Sequence, residues 1–310
     1  MKPALLSLSL LPLCFAADLR IGIVGTDTSH VTAFTKILND PQATDHVAGA
    51  RVTAAWKGGS HDIDQSRDRI DKFTRELQEK WGVRIVPTIE ELARDVDAVL
   101  LTSVDGRVHL AQARAVIAAR KPLFIDKPLA ATLEDAREIA RLADQAGVPW
   151  FSASSLRFSR VSELRRPDLE GAATWGPGPL EPHHPLDLSW YAIHAVEMLY
   201  TILGPGCEEV TRTYTTDADV IVGRWKNGRL GTVRALRPYG KYGAVAYGRD
   251  QKVEVLTDPN DGYVPLVREI VKFFETRRSP VANSETLEIF AFLDAAQRSK
   301  EVGGKPMRLR

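Results

Sequence analysis

The residues able to do chemistry fall in a few short stretches. The first, Ile21-Gly-Ile-Val-Gly-Thr-Asp-Thr-Ser-His30, carries an apolar strand into a turn of small and hydroxylated residues. A turn of this kind, leading into a helix, offers free backbone N–H groups to an anion such as a pyrophosphate. Gly25 supplies the tight turn, while Asp27 and His30 stand where the second and third glycines of a G-x-G-x-x-G loop would be. Two unit charges about 5 Å apart at an effective dielectric near 20 repel by roughly 3 kcal/mol. The helix dipole returns at most about 1 kcal/mol. Asp27 must therefore turn aside, either to cap the helix with Thr28 or Ser29 or to pair with a cation. A plain N-cap cluster formed by Thr26, Asp27, Thr28 and Ser29 is the alternative that needs no ligand.

The second stretch ends the next strand, Ala-Ala-Trp56-Lys57-Gly-Gly-Ser60-His61. Lys57 stands about where an acidic residue accepts the ribose hydroxyls of a dinucleotide. An ammonium cannot accept that bond but can hold a 2′-phosphate, which favours NADP over NAD; a solvated lysine at a strand end is the alternative. The third stretch is "KPLFIDKPLAATLEDAREI" (Lys121 to Ile139), where a strand ends in Asp126-Lys127-Pro128. The fourth, "AIHAVEMLYTILG" (Ala192 to Gly204), places His194 on a helix, with Trp190, Tyr191, Glu197 and Met198 at neighbouring positions of the same side. His183-His184 lie just upstream in "EPHHPLD".

The elements that must hold these residues follow from pattern. From Asp18 to about Ser154, apolar runs alternate with amphipathic segments; Ile21 to Val24, Val52 to Trp56, Arg84 to Val86, Ala98 to Ser103, Leu123 to Asp126 and Val148 to Phe151 read as strands buried on both faces. Thr88-Ile-Glu-Glu91 and Thr132-Leu-Glu-Asp135 read as capping boxes, and Gly147 as a helix stop. Strand then helix, repeated, predicts an α/β doubly wound, Rossmann-like parallel sheet over residues 18–154. Residues 155–310 read as a second, α+β unit. A helix over Leu188 to Leu203 precedes strands at Glu209 to Tyr214, Val220 to Trp225, Leu230 to Leu236, Tyr242 to Tyr247 and Lys252 to Leu256, with Asn227-Gly228 as a hairpin turn. Helices over Tyr263 to Thr276 and Ser284 to Lys300 close the chain. The mainly antiparallel sheet has one face uncovered, which predicts a homo-oligomer through that face.

Composition narrows the function classes. The 310 residues are 44% hydrophobic and 26% charged, with 41 basic against 40 acidic side chains. A net charge of +1 provides no field to recruit nucleic acid or an anionic membrane. Residues 1–17 read as a secretory signal peptide: Met1-Lys2, an apolar run from Pro3 to Phe15, then small residues. The expected location is periplasmic or secreted, with no membrane attachment once the leader is removed. Cys14 leaves with it, so Cys207 remains alone and no internal disulfide forms.

Strand order, Asp126-Lys127-Pro128 with its following helix, "AIHAVEMLYTILG" and the final "SPVANSETLEIFAFLDAAQRSK" together resemble the glucose-fructose oxidoreductase and inositol dehydrogenase (Gfo/Idh/MocA) family. The Asp-Lys-Pro tripeptide is similar to the family's Glu-Lys-Pro. The resemblance implies that Lys127 hydrogen-bonds the reacting hydroxyl or carbonyl, with Asp126 beside the cofactor and Pro128, often cis in relatives, fixing the lysine's aim. A lysine next to a buried cofactor has a lowered pKa and can shuttle a proton. His194 matches a histidine that faces substrate on the first helix of the second domain. Ser103 and Asp105 fall where the family touches its cofactor, and Arg157 where an arginine opens the second domain near substrate. Trp190 departs from the pattern, since relatives commonly carry an aspartate there; His184 is a candidate substitute, joining Trp190 and Tyr191 as substrate-side residues.

The resulting expectation is an exported NAD(P)-dependent oxidoreductase for a sugar, cyclitol or related small carbohydrate. The leader holds no twin-arginine pair, so the chain crosses unfolded and meets its nucleotide outside, which favours a tightly held cofactor in a closed redox cycle. The alternative is a catalytically altered member that binds carbohydrate or assembles with others without hydride transfer; Asp27, His30, Lys57 and Trp190 point that way. A metal site is not expected, because Asp27, His30, Asp105 and His109 lack compact ligand spacing.

Overall fold

Alternating strands and helices occupy Leu19 to Ser152 in the computed structural model, which describes residues 17–310. Apart from Ala17, the expected leader lies outside the described residues. The elements are β1 (Leu19–Val24), α1 (Ser29–Asn39), β2 (Ala50–Trp56), α2 (Asp64–Arg67), α3 (Ile70–Trp81), β3 (Arg84–Val86), α4 (Ile89–Asp95), β4 (Ala98–Leu101), α5 (His109–Ala118), β5 (Leu123–Ile125), α6 (Leu133–Ala146) and β6 (Trp150–Ser152). The strands form one parallel sheet in the order β3-β2-β1-β4-β5-β6. Strand order reverses between β1 and β4, which opens a crevice at their carboxyl ends. Both capping sequences do what their spacing predicts. Thr88 accepts from the Glu91 N–H at 3.1 Å and Thr132 from the Asp135 N–H at 3.0 Å. Each such cap contributes about 1 kcal/mol.

The second unit contains β7 (Leu169–Pro177), α7 (Ile193–Leu203), β8 (Cys207–Tyr214), β9 (Ala218–Trp225), β10 (Leu230–Leu236), β11 (Gly243–Gly248), β12 (Val253–Thr257), α8 (Val264–Thr276), α9 (Asn283–Glu301) and β13 (Met307–Arg308). Its sheet runs β12-β11-β7-β10-β9-β8-β13, antiparallel except where β7 meets β10. Five of these strands follow the sequence pattern; β7 and β13 do not. The β7 sequence, Leu-Glu-Gly-Ala-Ala-Thr-Trp-Gly-Pro, has too few branched residues to read as a strand, yet it sits between β10 and β11. Its small side chains let α7 come close, and Thr174 donates to the Ala195 carbonyl at 2.8 Å. The helix expected from Leu188 begins only at Ile193, after a 3₁₀ turn over Asp187–Ser189.

The chain also crosses back between the units. Leu266, Val267, Ile270, Phe273 and Phe274 of α8 are buried in the same cluster as Ile21, Phe34 and Phe151 of the first unit. Thus α8, expected in the second unit, completes the core beneath the parallel sheet and draws the residue before it, Tyr263, over the crevice.

Candidate active site

Everything at the crevice starts from the turn after β1. Gly25 has φ +87°, and a Cβ there would lie 2.1 Å from Ser103 Oγ and 2.6 Å from the Ser103 nitrogen, so only glycine lets the β1 and β4 turns meet. Thr28 is the N-cap of α1, its hydroxyl accepting from the His30 N–H at 3.4 Å. Asp27 turns aside, but to neither a helix cap nor a cation. It is wholly buried, accepting from Ser66 Oγ at 2.6 Å and from the Val104 N–H at 3.0 Å. Burial raises its pKa, and those two bonds oppose the rise.

Ser66 belongs to a segment, residues 58–67, that folds back over the turn. A Cβ on Gly58 would come within 3.3 Å of the Gly25 Cα, Thr26 Oγ1 lies 2.6 Å from Thr74 Oγ1, and the Thr26 N–H donates to the Lys57 carbonyl at 2.8 Å. Further contacts pin the segment from the β4 side. Asp105 accepts from Ser60 at 2.6 Å and pairs with Arg107 at 2.8 Å and His184 at 3.1 Å, while Arg107 also reaches Asp62 at 2.8 Å. Burial disfavours an ionised Asp105, yet the bonds from His184, Arg107 and Ser60 prevail and hold its carboxyl far below the ordinary range. Ile63, Val104 and Trp190 close the same seam with an apolar cluster.

What stays open is a pocket of about 140 Å³ between the first turn of α1, the end of β5 and the start of α7. The Lys127-Pro128 peptide bond is cis. The lysine amine lies 5.6 Å above the Tyr191 ring and makes no ion pair or hydrogen bond among the described residues. Burial lowers its pKa; Asp126 opposes this and Arg69 adds to it. Asp126 itself is occupied on both oxygens, by His30 Nδ1 at 2.5 Å and by the Lys127 N–H at 2.8 Å. Its pKa falls despite burial, because His30 and Lys127 stand beside it. His194 Nδ1 lies 2.7 Å from Ser154 Oγ, and burial followed by the charges of Lys127 and His30 pushes its pKa well down, so its ring is neutral.

Of the residues expected at the site, Thr28, Ser29, His30, Lys127, Trp190, Tyr191 and His194 line this pocket. Gly25, Thr26, Asp27, Ser103, Asp105 and Asp126 lie behind it as supports. Lys57 points outward to an exposed pair with Asp71 at 2.6 Å. Arg157 and His184 do not line it: Arg157 is buried between Glu197 at 2.5 Å and Glu285 at 2.7 Å, and His184 between Asp105 and Ser189. His109 is buried too, its ring nitrogens 2.8 Å from the Ser103 carbonyl and 3.2 Å from that of Leu129. Among the described residues no three His, Cys, Asp or Glu side chains gather as a metal would require. Sequence reasoning missed Gln65, Arg69, Tyr239, Tyr242, Asn260 and Tyr263, all pocket-lining. They come from three distant segments, Gln65 on α2 and the others outside helices and strands, and no spacing marks them. The His30–Asp126 pair joins residues 96 apart, and a histidine at a glycine position was its only trace.

Comparison with known proteins agrees with the fold. Residues 19–154 match the GFO_IDH_MocA family model, described as an oxidoreductase family with an NAD-binding Rossmann fold. The inositol 2-dehydrogenase of Cereibacter sphaeroides is 35% identical over 132 residues, 42% of this chain and 34% of that protein. The myo-inositol 2-dehydrogenase of Thermotoga maritima is 28% identical over 238 residues, 66% of this chain and 67% of that one. Among solved structures, a probable dehydrogenase from Thermotoga maritima superimposes with a TM-score of 0.75 at 21% identity, covering 94% of this chain and 99% of that chain. Its likeness concerns the fold.

Proposed function

We propose, from the match of residues 19–154 to the Gfo/Idh/MocA family of oxidoreductases, that the chain is an NAD(P)-dependent dehydrogenase of a sugar, cyclitol or related polyol. The observation that carries this reading is the unpartnered Lys127 amine in the pocket, set beside a His30–Asp126 pair and a neutral His194. The inositol dehydrogenases among its relatives support a small carbohydrate substrate.

The bound nucleotide would supply a nicotinamide carbon that accepts or returns hydride. The first turn of α1, with Thr28 and Ser29, would hold the diphosphate, and Lys127 on the same pocket would stand beside the nicotinamide. The adenosine end fits only if residues 58–67, which lie before Arg69 and α3, swing away, because Gly58 and Ser66 rest on the Gly25–Asp27 turn. Lys57, paired with Asp71, gives no reason to prefer a 2′-phosphate. Lys127 takes the hydroxyl proton as the carbinol is oxidised, its neutral form favoured by burial and Arg69. His194, kept neutral, hydrogen-bonds the substrate oxygen without adding a second charge. Asp126 orients His30 and the lysine backbone together.

Export and a closed redox cycle are part of this proposal and rest on the leader-like first seventeen residues. A nucleotide that stays bound through oxidation and re-reduction needs no soluble partner outside the cytoplasm. Assembly through the open sheet face belongs to it as well. The closed segment over the turn favours one competing reading, a family member that binds carbohydrate without hydride transfer. Denaturing the purified protein and analysing the supernatant for NAD(H) or NADP(H) separates the two. Stoichiometric nucleotide is expected; its absence, with no thermal shift on adding either dinucleotide, would reject the dehydrogenase.

A further inference from the structure

The charges facing the pocket do not balance. Arg69 and Lys127 both line it, and among the described lining residues there is no aspartate or glutamate. Arg69 donates from Nε to the Gln65 carbonyl at 2.6 Å and from one terminal nitrogen to Gln65 Oε1 at 2.8 Å, and it makes no ion pair among the described residues. Asp126, behind the wall, has both oxygens engaged by His30 and the Lys127 N–H. Asp126 thus serves its own neighbours, and the Arg69 guanidinium faces the pocket with no carboxylate partner among the described residues. A guanidinium is shaped to take a carboxylate through two parallel bonds. A neutral polyol would need no such fork.

We propose that the substrate is an acidic sugar or polyol, a hydroxy-carboxylate whose reacting carbinol lies at Lys127 while its carboxylate is held by Arg69. The inference rests on the dehydrogenase reading above for the reaction and on Arg69 for the substrate class. In the oxidation the carbinol C–H leaves as hydride to bound NAD(P)+ and the O–H proton passes to Lys127, so the carboxylate is a handle and does not react. Tyr191 and Tyr239, with ring centroids 5.8 Å apart, wall the same region and suit a sugar carbon skeleton.

The anion attracted by Arg69 has a second source, the diphosphate of the dinucleotide, and binding measurements separate them. Titration calorimetry of the full chain would use D-glucuronate and D-galacturonate, their neutral counterparts D-glucose and D-galactose, and ADP-ribose in place of the dinucleotide. Either uronate is expected to bind at least about tenfold more tightly than its neutral partner, the scale of a charge-assisted pair. Arg69→Gln should erase that difference and leave ADP-ribose affinity within about twofold. Arg69→Lys, which keeps the charge but loses the fork, should retain part of it, and both variants should melt with the parent protein. Equal affinity for charged and neutral sugars, no binding of either uronate, or an Arg69→Gln loss that falls on ADP-ribose would overturn the proposal. Arg69-dependent uronate binding without ADP-ribose binding would uphold the substrate class while rejecting the dehydrogenase.

Discussion

At the scale of single residues, Lys127 and Arg157 show how one charge takes opposite roles according to its partners. Lys127 has none, and burial with Arg69 nearby favours its neutral amine. Only that neutral form accepts a proton, so oxidation should quicken as pH rises, with a midpoint below the ordinary lysine value of about 10.4. Steady-state rates of sugar acid oxidation against pH test this, and Arg69→Gln should move the rising limb to higher pH. Lys127→Met should cut turnover by about 10²- to 10⁴-fold with nucleotide binding retained; a loss of nucleotide instead would assign the lysine to binding. Arg157 is the reverse case, expected near substrate and found between Glu197 and Glu285. Arg157→Met leaves two buried carboxylates facing each other and should cost about 3–5 kcal/mol in urea unfolding. A variant as stable as the parent would show that the triad does not hold the second unit together.

Among the elements, the segment carrying α2 is the decisive one. It is tied to the β1 and β4 turns through Ser66–Asp27, Ser60–Asp105 and Asp62–Arg107, and it covers the edge where an adenosine would lie. Ser66→Ala removes one of the two bonds to a buried carboxylate and weakens the closed form by about 1 kcal/mol or more. If the segment must open for the dinucleotide, affinity should rise about fivefold by fluorescence titration. Unchanged or weaker binding would mean that the segment does not gate the crevice. Much at this scale was legible in advance. The six strands of the first unit, both capping boxes and the Asn227-Gly228 turn, with Gly228 at φ +81°, follow from patterns within a dozen residues. β7 escaped because its small residues serve α7 rather than the strand period.

For the whole molecule, the second sheet leaves a face open, with Val255 61% exposed, Val253 55% and Tyr247 42% on β12 and β11. Such an apolar edge invites a second copy. Light scattering should find a dimer or larger, and Val255→Asp should yield a monomer; a parent protein that is already monomeric would remove the interface. By itself the sequence determined the two-unit α/β architecture and the turn at Gly25, since periodicity, caps and glycine conformation are local properties, whereas Lys127 and His194 were expected at the site through the family resemblance. Only the tertiary structure decided that Asp27 faces Ser66, that Asp126 serves His30, and that Arg69 enters the pocket while Arg157 leaves it. Those outcomes depend on which distant polar group reaches each charge once water is excluded, and a buried charge takes whichever partner the packing of separate elements brings within about 3 Å.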